Sequence, residues 1–533
     1  MTRSKSFADL IKNCPSVIRA LPNIPQGEVS NVVFDSRKVV AGSVFVAFEG
    51  EYFDGHCFIG DAVSRGATLV VGTQAKWVEE YPNIYLRVED ARKALAYLSA
   101  AYHDFPARKL VVIGVTGTDG KTTTVNLIYQ VLKQAGMKVG MISTVNAVIG
   151  EEAIDTGFHV TTPESPMVQE LLARMVENGM THVVLETTSH GLAQQRVAAC
   201  EYDIGVITNV THEHLDYHGT YESYVQTKTK LLTMLTETLP KRSGNIRLAV
   251  INKDDQSYSF VTFLLSEPAF ENIQIAAYSR KDKAEIKVAH EEHSLEGLRL
   301  QIDCAGQMIH VESHLVGEYN VSNILAAVGA TSLGLKIAPE TISRGIKALG
   351  GVPGRMERIN MGQNFSAIVD FAHTPNAIKV TLQTARELTR KRVLAVFGSA
   401  GLRDREKRKM MAIEGVNLAD ICIFTAEDPR TEKLEDILNE MVTAAEGVGG
   451  VEGKDYLVVP DRGDAIRQAL KLAHSDDLVI VCGKGHEQSM CFETTEYPWD
   501  DRTAVRAALC ELLGKEGPNM PYLPTSMYKK RAD

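Results

Sequence analysis

The residues Gly117-Thr118-Asp119-Gly120-Lys121-Thr122-Thr123 have the types and spacing needed to hold a polyphosphate. Glycines let backbone N–H groups approach oxygen closely, and a helix starting after Gly120 presents the positive end of its dipole. Lys121 adds a point charge, and a hydroxyl such as that of Thr122 reaches a magnesium ion. The apolar run Leu110–Val115 in front supplies the required strand. The pattern Val125, Ile128, Val131, Leu132 and Ala135 behind it, stopped by Gly136, supplies the helix. Val115 stands where the generic loop has its first glycine, and Gly117 lies inside the loop instead. An ATP or GTP site is the expectation.

Two further clusters carry chemistry. Glu186 follows the apolar run Val183–Leu185, which puts its carboxylate at the carboxyl end of a strand, where ligands gather in open α/β sheets. A glutamate there also suits an ordinary solvated loop, so its meaning depends on its neighbours. After the run Ile204–Thr208 the chain reads Asn209-Val-Thr-His212-Glu213-His214-Leu-Asp216-Tyr-His218. That density of imidazoles and carboxylates invites a zinc reading. No cysteine is near, however, and a phosphate loop is present, so a divalent ion tied to a nucleotide is the better expectation.

Those residues need strands and helices to position them. Apolar runs at Val44–Phe48, Ala67–Val71 and Ile84–Val88 precede a polar stretch, Tyr102–Lys109. Thr181–Leu185, Ile204–Thr208 and Leu248–Ile251 follow the phosphate loop. Ala367–Asp370, Val393–Phe397, Ile421–Thr425, Tyr456–Val459 and Leu478–Cys482 lie beyond a break near Leu349–Gly354. Short continuous apolar runs alternating with helical patterns predict open α/β sheets with buried parallel strands. At ~100–200 residues per domain, 533 residues suggest about three domains. The boundaries fall at 1–108, 109–350 and 351–515, with a tail at 516–533. Apolar residues make up 44% and charged ones 23%, and 57 basic against 67 acidic side chains leave a net charge of −10. That balance argues against a nucleic-acid partner. Eight cysteines without a Cys-x-x-Cys pair read as reduced thiols, and no apolar run is long enough for a membrane span, so a soluble cytoplasmic protein is expected.

Beyond the phosphate loop, the combination of Glu186-Thr-Thr-Ser-His, Asn209 with His214-Leu-Asp-Tyr-His, and Gly317-Glu-Tyr-Asn-Val-Ser-Asn resembles the Mur ligases of peptidoglycan synthesis. Gly354-Arg-Met-Glu, Asp370-Phe-Ala-His-Thr-Pro, Phe397-Gly-Ser-Ala-Gly and Gly483-Lys-Gly-His-Glu extend the resemblance nearly end to end. The branch it resembles most adds the third amino acid to UDP-N-acetylmuramoyl-L-alanyl-D-glutamate. The resemblance implies a UDP-sugar-binding domain, a central P-loop-like ATPase domain and a C-terminal Rossmann-like domain for the amino acid. It implies that the D-glutamyl carboxylate takes the γ-phosphoryl of ATP, and that an amine then attacks the acyl phosphate.

By the same resemblance, Lys121, Glu186, His214 and Lys228 carry catalysis, and Thr122, Glu186, His214 and Lys228 serve Mg²⁺, with Lys228 as a carbamate. ATP is expected on Gly117–Thr123, Asn320, Asn323, Arg355, Asp370 and His373. The UDP-sugar peptide is expected on Phe34, Ser36, Glu51, Tyr52, Phe53, Thr161, Thr162, Thr188, Gln194 and Arg196. The diamino acid is expected on Arg403, Glu427, Asp428, Pro429, Arg430, Gly483 and Glu487. Val160, Thr188 and Glu213 depart from the family pattern, the last two retaining their functional groups. Members that add diaminopimelate show Asp-Asn-Pro-Arg where this chain has Glu427-Asp428-Pro429-Arg430. Arg430 and Arg403 suit the distal carboxylate of meso-diaminopimelate. The added charge of Asp428 would instead suit the lone ammonium of L-lysine or L-ornithine. Meso-diaminopimelate is the favoured expectation, with a monomeric enzyme. A folylpolyglutamate-type ligase and a noncatalytic Mur-like interaction protein are the alternatives. The first would lack need of the matches in residues 34–53, and the second of Lys121, Glu186, His214 and Lys228.

Overall fold

Continuous apolar runs form strands buried on both faces. In the computed structural model, which describes residues 5–50, 53–154, 162–211, 218–241, 243–294 and 296–526, the predicted runs are the parallel strands of three sheets. The chain divides into two units. One comprises Met1–Ala289, Gln301–His310 and Ser322–Ile346, and the other His290–Leu300, Val311–Val321 and Lys347–Asp533. Among the described residues no helix is long and apolar enough to cross a membrane. All eight cysteines are free thiols.

The first unit begins with β1 (Val17–Arg19), β2 (Asn31–Val33), β3 (Ser43–Val46), β4 (Ala67–Gly72) and β5 (Tyr85–Val88), in the order β1-β5-β4-β3-β2. Alternate residues fill two cores: Val44, Val46, Leu69 and Val71 on one face, Phe45, Val70 and Tyr85 on the other. The helix Ala91–Tyr102, capped by the Asp90 carboxylate, buries Leu95 and Leu98 on the first face. Its Ala96 and Ala100 pack against Ala198 and Ala199 of the next layer.

The second sheet contains β6 (Val111–Thr116), β7 (Val139–Ile142), β8 (Ala147–Ile149), β9 (Glu152–Ile154), β10 (His182–Glu186), β11 (Ile204–Ile207), β12 (Leu248–Asn252) and β13 (Gln274–Ser279). Its parallel strands run β13-β12-β11-β6-β10-β7, and β8 and β9 add an antiparallel edge. The phosphate-loop strand β6 is therefore central. Thr116 lies opposite Ile207 of β11, and Val115 opposite Glu186 of β10. The order reverses about β6, a switch point at whose carboxyl edge ligands bind. The expected helix runs Lys121–Gln134, and Gly136 (φ 74°) follows it. The sheet continues through β14 (Ile286–Ser294), β15 (Gly297–Cys304) and β16 (Gln307–Ser313), where the division between units passes. Sequence patterning missed β14 to β16 because exposed charged residues interrupt their apolar positions.

In the second unit, β17 (Glu357–Arg358), β18 (Ser366–Asp370), β19 (Val393–Phe397), β20 (Ile421–Phe424), β21 (Tyr456–Val458) and β22 (Leu478–Cys482) lie in the order β17-β18-β22-β19-β20-β21. All but β17 are parallel. Ile368, Ala395 and Ile480 enter one core, and Val369, Val396 and Val479 the other. The loop after β19 is anchored by Arg408, fully buried on the helix Arg405–Leu418. Its guanidinium donates to Glu432 Oε1 at 2.9 Å and Oε2 at 2.6 Å, a bidentate pair.

Two stability predictions follow from buried charge. Lys241 Nζ, 1% exposed, donates to Asp203 Oδ2 at 2.6 Å and to the carbonyls of Glu201 and Leu110 at 2.6 and 3.0 Å. Lys241→Met should therefore lose about 3–5 kcal/mol in urea unfolding, and adding Asp203→Asn should restore part of it, because the lone buried carboxylate is what costs. The Arg408 guanidinium holds the Glu432 carboxyl down at about 2, below its ordinary 4.5. Its stabilisation is present above pH 4.5 and is lost as pH falls through about 2. Glu432→Gln should therefore unfold more easily than the parent at neutral pH, with the difference closing over that acid range. A constant difference would contradict the pairing.

Candidate active site

The strand register builds the phosphate loop. β6 ends between β10 and β11, so Glu186 and Thr208-Asn209 arrive beside Thr116 at the same edge. Thr208 Oγ1 donates to Asp119 O at 2.6 Å and Thr116 O at 3.2 Å. Asn209 takes Thr118 N on its carbonyl oxygen at 2.8 Å and Asp119 N on Oδ1 at 2.9 Å, and its Nδ2 donates to Asp119 O at 3.1 Å. Gly117 has φ 152°, and a Cβ there would lie 1.8 Å from Thr208 Oγ1. A side chain at 117 is thus excluded by the clamp as well as by backbone preference. The Asn323 amide packs against Gly120, where a Cβ would lie 2.1 Å from its Oδ1.

Lys121 Nζ folds back onto its own loop, donating to Thr118 O at 2.8 Å and Gly117 O at 3.1 Å. Lys228, on the helix Tyr221–Glu237 and 2% exposed, donates to that same Gly117 oxygen at 2.6 Å. Its ammonium also sits 4.5 Å from the ring centre of Tyr224, whose hydroxyl is 3.3 Å from Thr118 Oγ1. Lys121, expected at phosphate oxygens, and Lys228, expected as a carbamate that serves Mg²⁺, thus converge on one carbonyl. Glu186, 1% exposed, takes hydrogen bonds from the hydroxyls of Thr122 at 3.0 Å and Thr144 at 2.9 Å and from Thr144 N at 3.1 Å. A carboxylate beside a threonine hydroxyl is a hard oxygen donor set that fits magnesium. The predicted ligand His214 lies outside the described residues, as do Glu51, Tyr52 and Thr161. Among the described residues no group of three His, Cys, Asp or Glu side chains forms a metal cluster.

Next to Glu186, Thr162 donates to its carbonyl oxygen at 3.1 Å and lies 3.1 Å from the Thr188 hydroxyl. Thr188 caps the helix Ser189–Ala193. Arg196 ties the segment together, donating to Thr162 O and Gln194 Oε1 at 2.8 and 2.7 Å and pairing with Glu164. In the first sheet's loops Phe53 is 75% exposed, and the Phe34 ring lies 5.8 Å from Phe48, over which Arg92 stacks at 4.2 Å. Ser36 is buried.

In the second unit, Asp370 ends β18 and takes hydrogen bonds from Met356 N, Ala372 N and Thr381 Oγ1 at 2.8, 2.9 and 3.1 Å. Burial raises its carboxyl, and Arg355 opposes that rise. Phe371 gathers Arg355, His373 and His486, at 4.4, 4.5 and 4.9 Å from its ring centre. Asn320 donates to Val316 O at 2.7 Å.

Of the other predicted residues of this unit, Glu427 to Arg430 follow β20, Gly483 and Glu487 follow β22, and Arg403 lies in the loop after β19. Asp428 Oδ2 receives Lys484 Nζ at 2.9 Å, and Oδ1 receives Cys491 N at 2.8 Å. Lys484, 1% exposed, also pairs closely with Glu487. Pro429 is buried and Arg403 exposed. Arg430 donates to Gly401 O at 3.3 Å, while its backbone bridges to Cys491 and Glu493. Glu427 is buried against Gly483, and burial pushes its carboxyl up to about 8. Sequence reasoning missed Thr144, Tyr224, Phe371 and Lys484 as site-building residues, and gave Thr208 and Asn209 no role. Phe371, Lys484 and the Thr208-Asn209 pair carried a signal, being within motifs or at a strand end.

The chain matches three family models in succession: "Mur ligase family, catalytic domain" over residues 28–103, "Mur ligase middle domain" over 115–331, and "Mur ligase, glutamate ligase domain" over 354–485. It is 40% identical over 492 residues to a UDP-N-acetylmuramyl-tripeptide synthetase of Roseiflexus sp. (strain RS-1), covering 91% of this chain and 95% of that one. It is 38% identical over 478 residues to a UDP-N-acetylmuramoyl-L-alanyl-D-glutamate--2,6-diaminopimelate ligase of Geobacillus thermodenitrificans (strain NG80-2), covering 90% and 94%. A solved structure of a ligase with that same diaminopimelate name shares 28% identity at a TM-score of 0.67, over 96% of this chain and all of the other. Folylpolyglutamate synthase of Mycobacterium tuberculosis, solved with ADP and AMPPCP, shares the fold at a TM-score of 0.60 and 17% identity, over 79% of this chain and 94% of its own. A phosphate loop on the central strand of one sheet, a second parallel sheet ending in the Asp370 and Asp428 loops, and relatives similar over nine-tenths of the chain place this protein in the Mur ligase family.

Proposed function

We propose that the protein joins a diamino acid, meso-diaminopimelate, to the D-glutamate of UDP-N-acetylmuramoyl-L-alanyl-D-glutamate, consuming ATP through an acyl phosphate. The observation that carries the reading is the convergence of Lys121, Lys228, Thr122 and Glu186 on the Gly117–Thr122 loop. A carboxylate attacking a polyphosphate meets negative charge, and fixed cations and N–H donors offset that repulsion without reorganising. Loop N–H groups and Lys121 hold the phosphates, while Thr122 and Glu186 offer oxygens to Mg²⁺. When bound, magnesium neutralises charge on the phosphate oxygens. Thr162, Thr188, Gln194 and Arg196 hold the sugar peptide beside Glu186. Phe34, Ser36 and Phe53, with Glu51 and Tyr52, take the UDP group. Arg355, Asp370 and His373, with Asn320 and Asn323, hold the nucleoside and its phosphates. Residues 1–108, 109–350 and 351–515 then divide the UDP-sugar, ATP and amino acid among three domains.

Lys228 is assigned as a carbamate. Its amine, once deprotonated, attacks carbon dioxide, forming an N–C bond and releasing a proton, which turns a cation into an anion that serves the metal. The burial of Nζ at the loop fits a group whose charge is chosen for the site rather than for solvent.

The pairing of Asp428 supports meso-diaminopimelate as the acceptor. Its charge is already matched by Lys484 at 2.9 Å, so the departure from asparagine adds no free anion for a lone ammonium. Lys484, Asp428 and Glu487 together leave one negative charge, while Arg430 and Arg403 bring two positive ones. This distribution suits a distal group bearing both an ammonium and a carboxylate. A folylpolyglutamate-type activity shares the fold but not the relatives' names.

Phosphate release with ATP and the UDP-sugar dipeptide should rise most with meso-diaminopimelate and less with L-lysine or L-ornithine. Equal or greater stimulation by L-lysine would reverse the acceptor assignment, and none by any amine would remove the ligase reading. Lys228→Ala should lose about a hundredfold or more in kcat, with partial rescue by a small added carboxylate. Labelled bicarbonate should give the parent protein a carbon-13 carbamate resonance that the variant lacks. Full activity of the alanine variant would end the carbamate account.

A further inference from the structure

The two loops given to the amino acid do not follow neighbouring strands. β19 lies between β20 and β22 in the sheet, so at about 4.8 Å per strand spacing the ends of those two strands stand roughly 10 Å apart. Arg462 ties them together. It opens the helix Arg462–Leu472, which packs on β19, β20 and β22, and its side chain is fully buried. Its Nη1 donates to Ala426 O at 3.2 Å, just before the Glu427–Arg430 loop, and its Nη2 to Cys482 O at 2.7 Å, where the Gly483–Glu487 loop begins. Nε and Nη2 also donate to Asp501 Oδ1 and Oδ2 at 2.8 and 2.7 Å, so this carboxylate, likewise fully buried, sets the plane of the fork. Asp501 in turn takes Trp499 Nε1 on Oδ1 at 2.8 Å and the N–H of Gly485 on Oδ2 at 3.3 Å. Beyond those strand ends the Lys484–Asp428 pair joins the loops themselves. The middle strand leaves room for the approach: Gly398 follows β19, and a Cβ there would lie 2.3 Å from Thr425 O. A buried ion pair adds little stability over apolar side chains of similar volume, whereas this one fixes two carbonyls on separated strands.

We propose that Arg462, held by Asp501, is a positioning residue for acceptor selection: it fixes the spacing of the two loops so that a carboxylate and an ammonium at the far end of one acceptor are gripped at the same time. The inference rests on the amino-acid role proposed above for these loops, and it concerns a side chain that does not itself touch the acceptor. Arg430, on the first loop, suits the carboxylate, and Glu487, on the second, suits the ammonium. A shift of one loop against the other costs an acceptor that needs both contacts. It costs L-lysine less, because the far end of L-lysine bears an ammonium alone. Preference for meso-diaminopimelate over L-lysine therefore depends on a residue buried behind the loops. Arginine suits the position because its planar fork reaches a carboxylate and two carbonyls in fixed directions, which a lysine ammonium does not.

The test compares phosphate release by the full-length parent, Arg462→Lys and Asp501→Asn, each with ATP, magnesium and the UDP-sugar dipeptide, over a range of meso-diaminopimelate or L-lysine concentrations. Arg462→Lys keeps the charge beside Asp501 and removes the fork, while Asp501→Asn keeps the shape of residue 501 and loosens the fork's anchor. Both variants should raise the meso-diaminopimelate KM about tenfold with a much smaller change in kcat. Both should also lower the ratio of kcat/KM for meso-diaminopimelate to that for L-lysine by about tenfold. The KM values for ATP and for the dipeptide should stay as in the parent, a split that loss of folded protein does not produce. Thermal unfolding reports whether each variant is folded. An unchanged ratio in a folded variant, or equal losses with both acceptors, overturns the positioning role and leaves the ligase reading standing. Failure of both variants to fold also overturns it, by making the pair a support of the fold alone. A parent with no preference for meso-diaminopimelate overturns the acceptor assignment on which the inference rests.

Discussion

The register of three strands governs the nucleotide end of this molecule. Because β6 runs between β10 and β11, with Val115 opposite Glu186 and Thr116 opposite Ile207, the loop leaving β6 emerges between a carboxylate and a threonine. Thr208 and Asn209 then hold it by backbone and side-chain hydrogen bonds, and Gly117 allows the close approach. A one-residue slip of β11 would turn Thr208 to the other face and release the loop. The site is therefore a property of the sheet more than of the loop sequence. This explains why a loop without the generic first glycine still forms a phosphate cradle.

A common logic governs charge on both units. Buried cations are fixed by several acceptors: Lys241 by Asp203 and two carbonyls, Arg408 by Glu432 and Glu440, and Arg462 by Asp501 and two carbonyls. Such pairs set geometry more than they add stability. Lys121 and Lys228 differ, since both rest on the carbonyl oxygen of Gly117 within the loop where phosphate is to bind. Glu427 is the complementary case, a buried acid whose Oε2 has no hydrogen-bond partner.

Much of this was legible in the sequence, for reasons that differ by element. Val111–Val115, Val393–Phe397 and Leu478–Cys482 are buried on both faces and therefore read as unbroken apolar runs. The strands Ile286–Ser313 are buried on one face, and charges such as Glu291 and Glu292 hide the pattern. The loop, Glu186 and the Gly483 motif were recognisable as residue types in a spacing. Their partners were not. Thr144 is an ordinary residue after a strand, and Lys484 lies 56 residues from the Asp428 it neutralises. Reading Asp428 alone suggests a free anion, whereas its tertiary partner removes that charge from the acceptor question.

The most direct measurement on the central claim is the affinity of an ATP analogue with magnesium for Thr208→Val, which keeps the shape of residue 208 and removes its hydroxyl. If the strand-end clamp sets the cradle, losing the bonds to Asp119 and Thr116 should weaken nucleotide binding by about tenfold while thermal stability changes little. Unchanged affinity would show that the loop holds its conformation without β11, and would contradict the account.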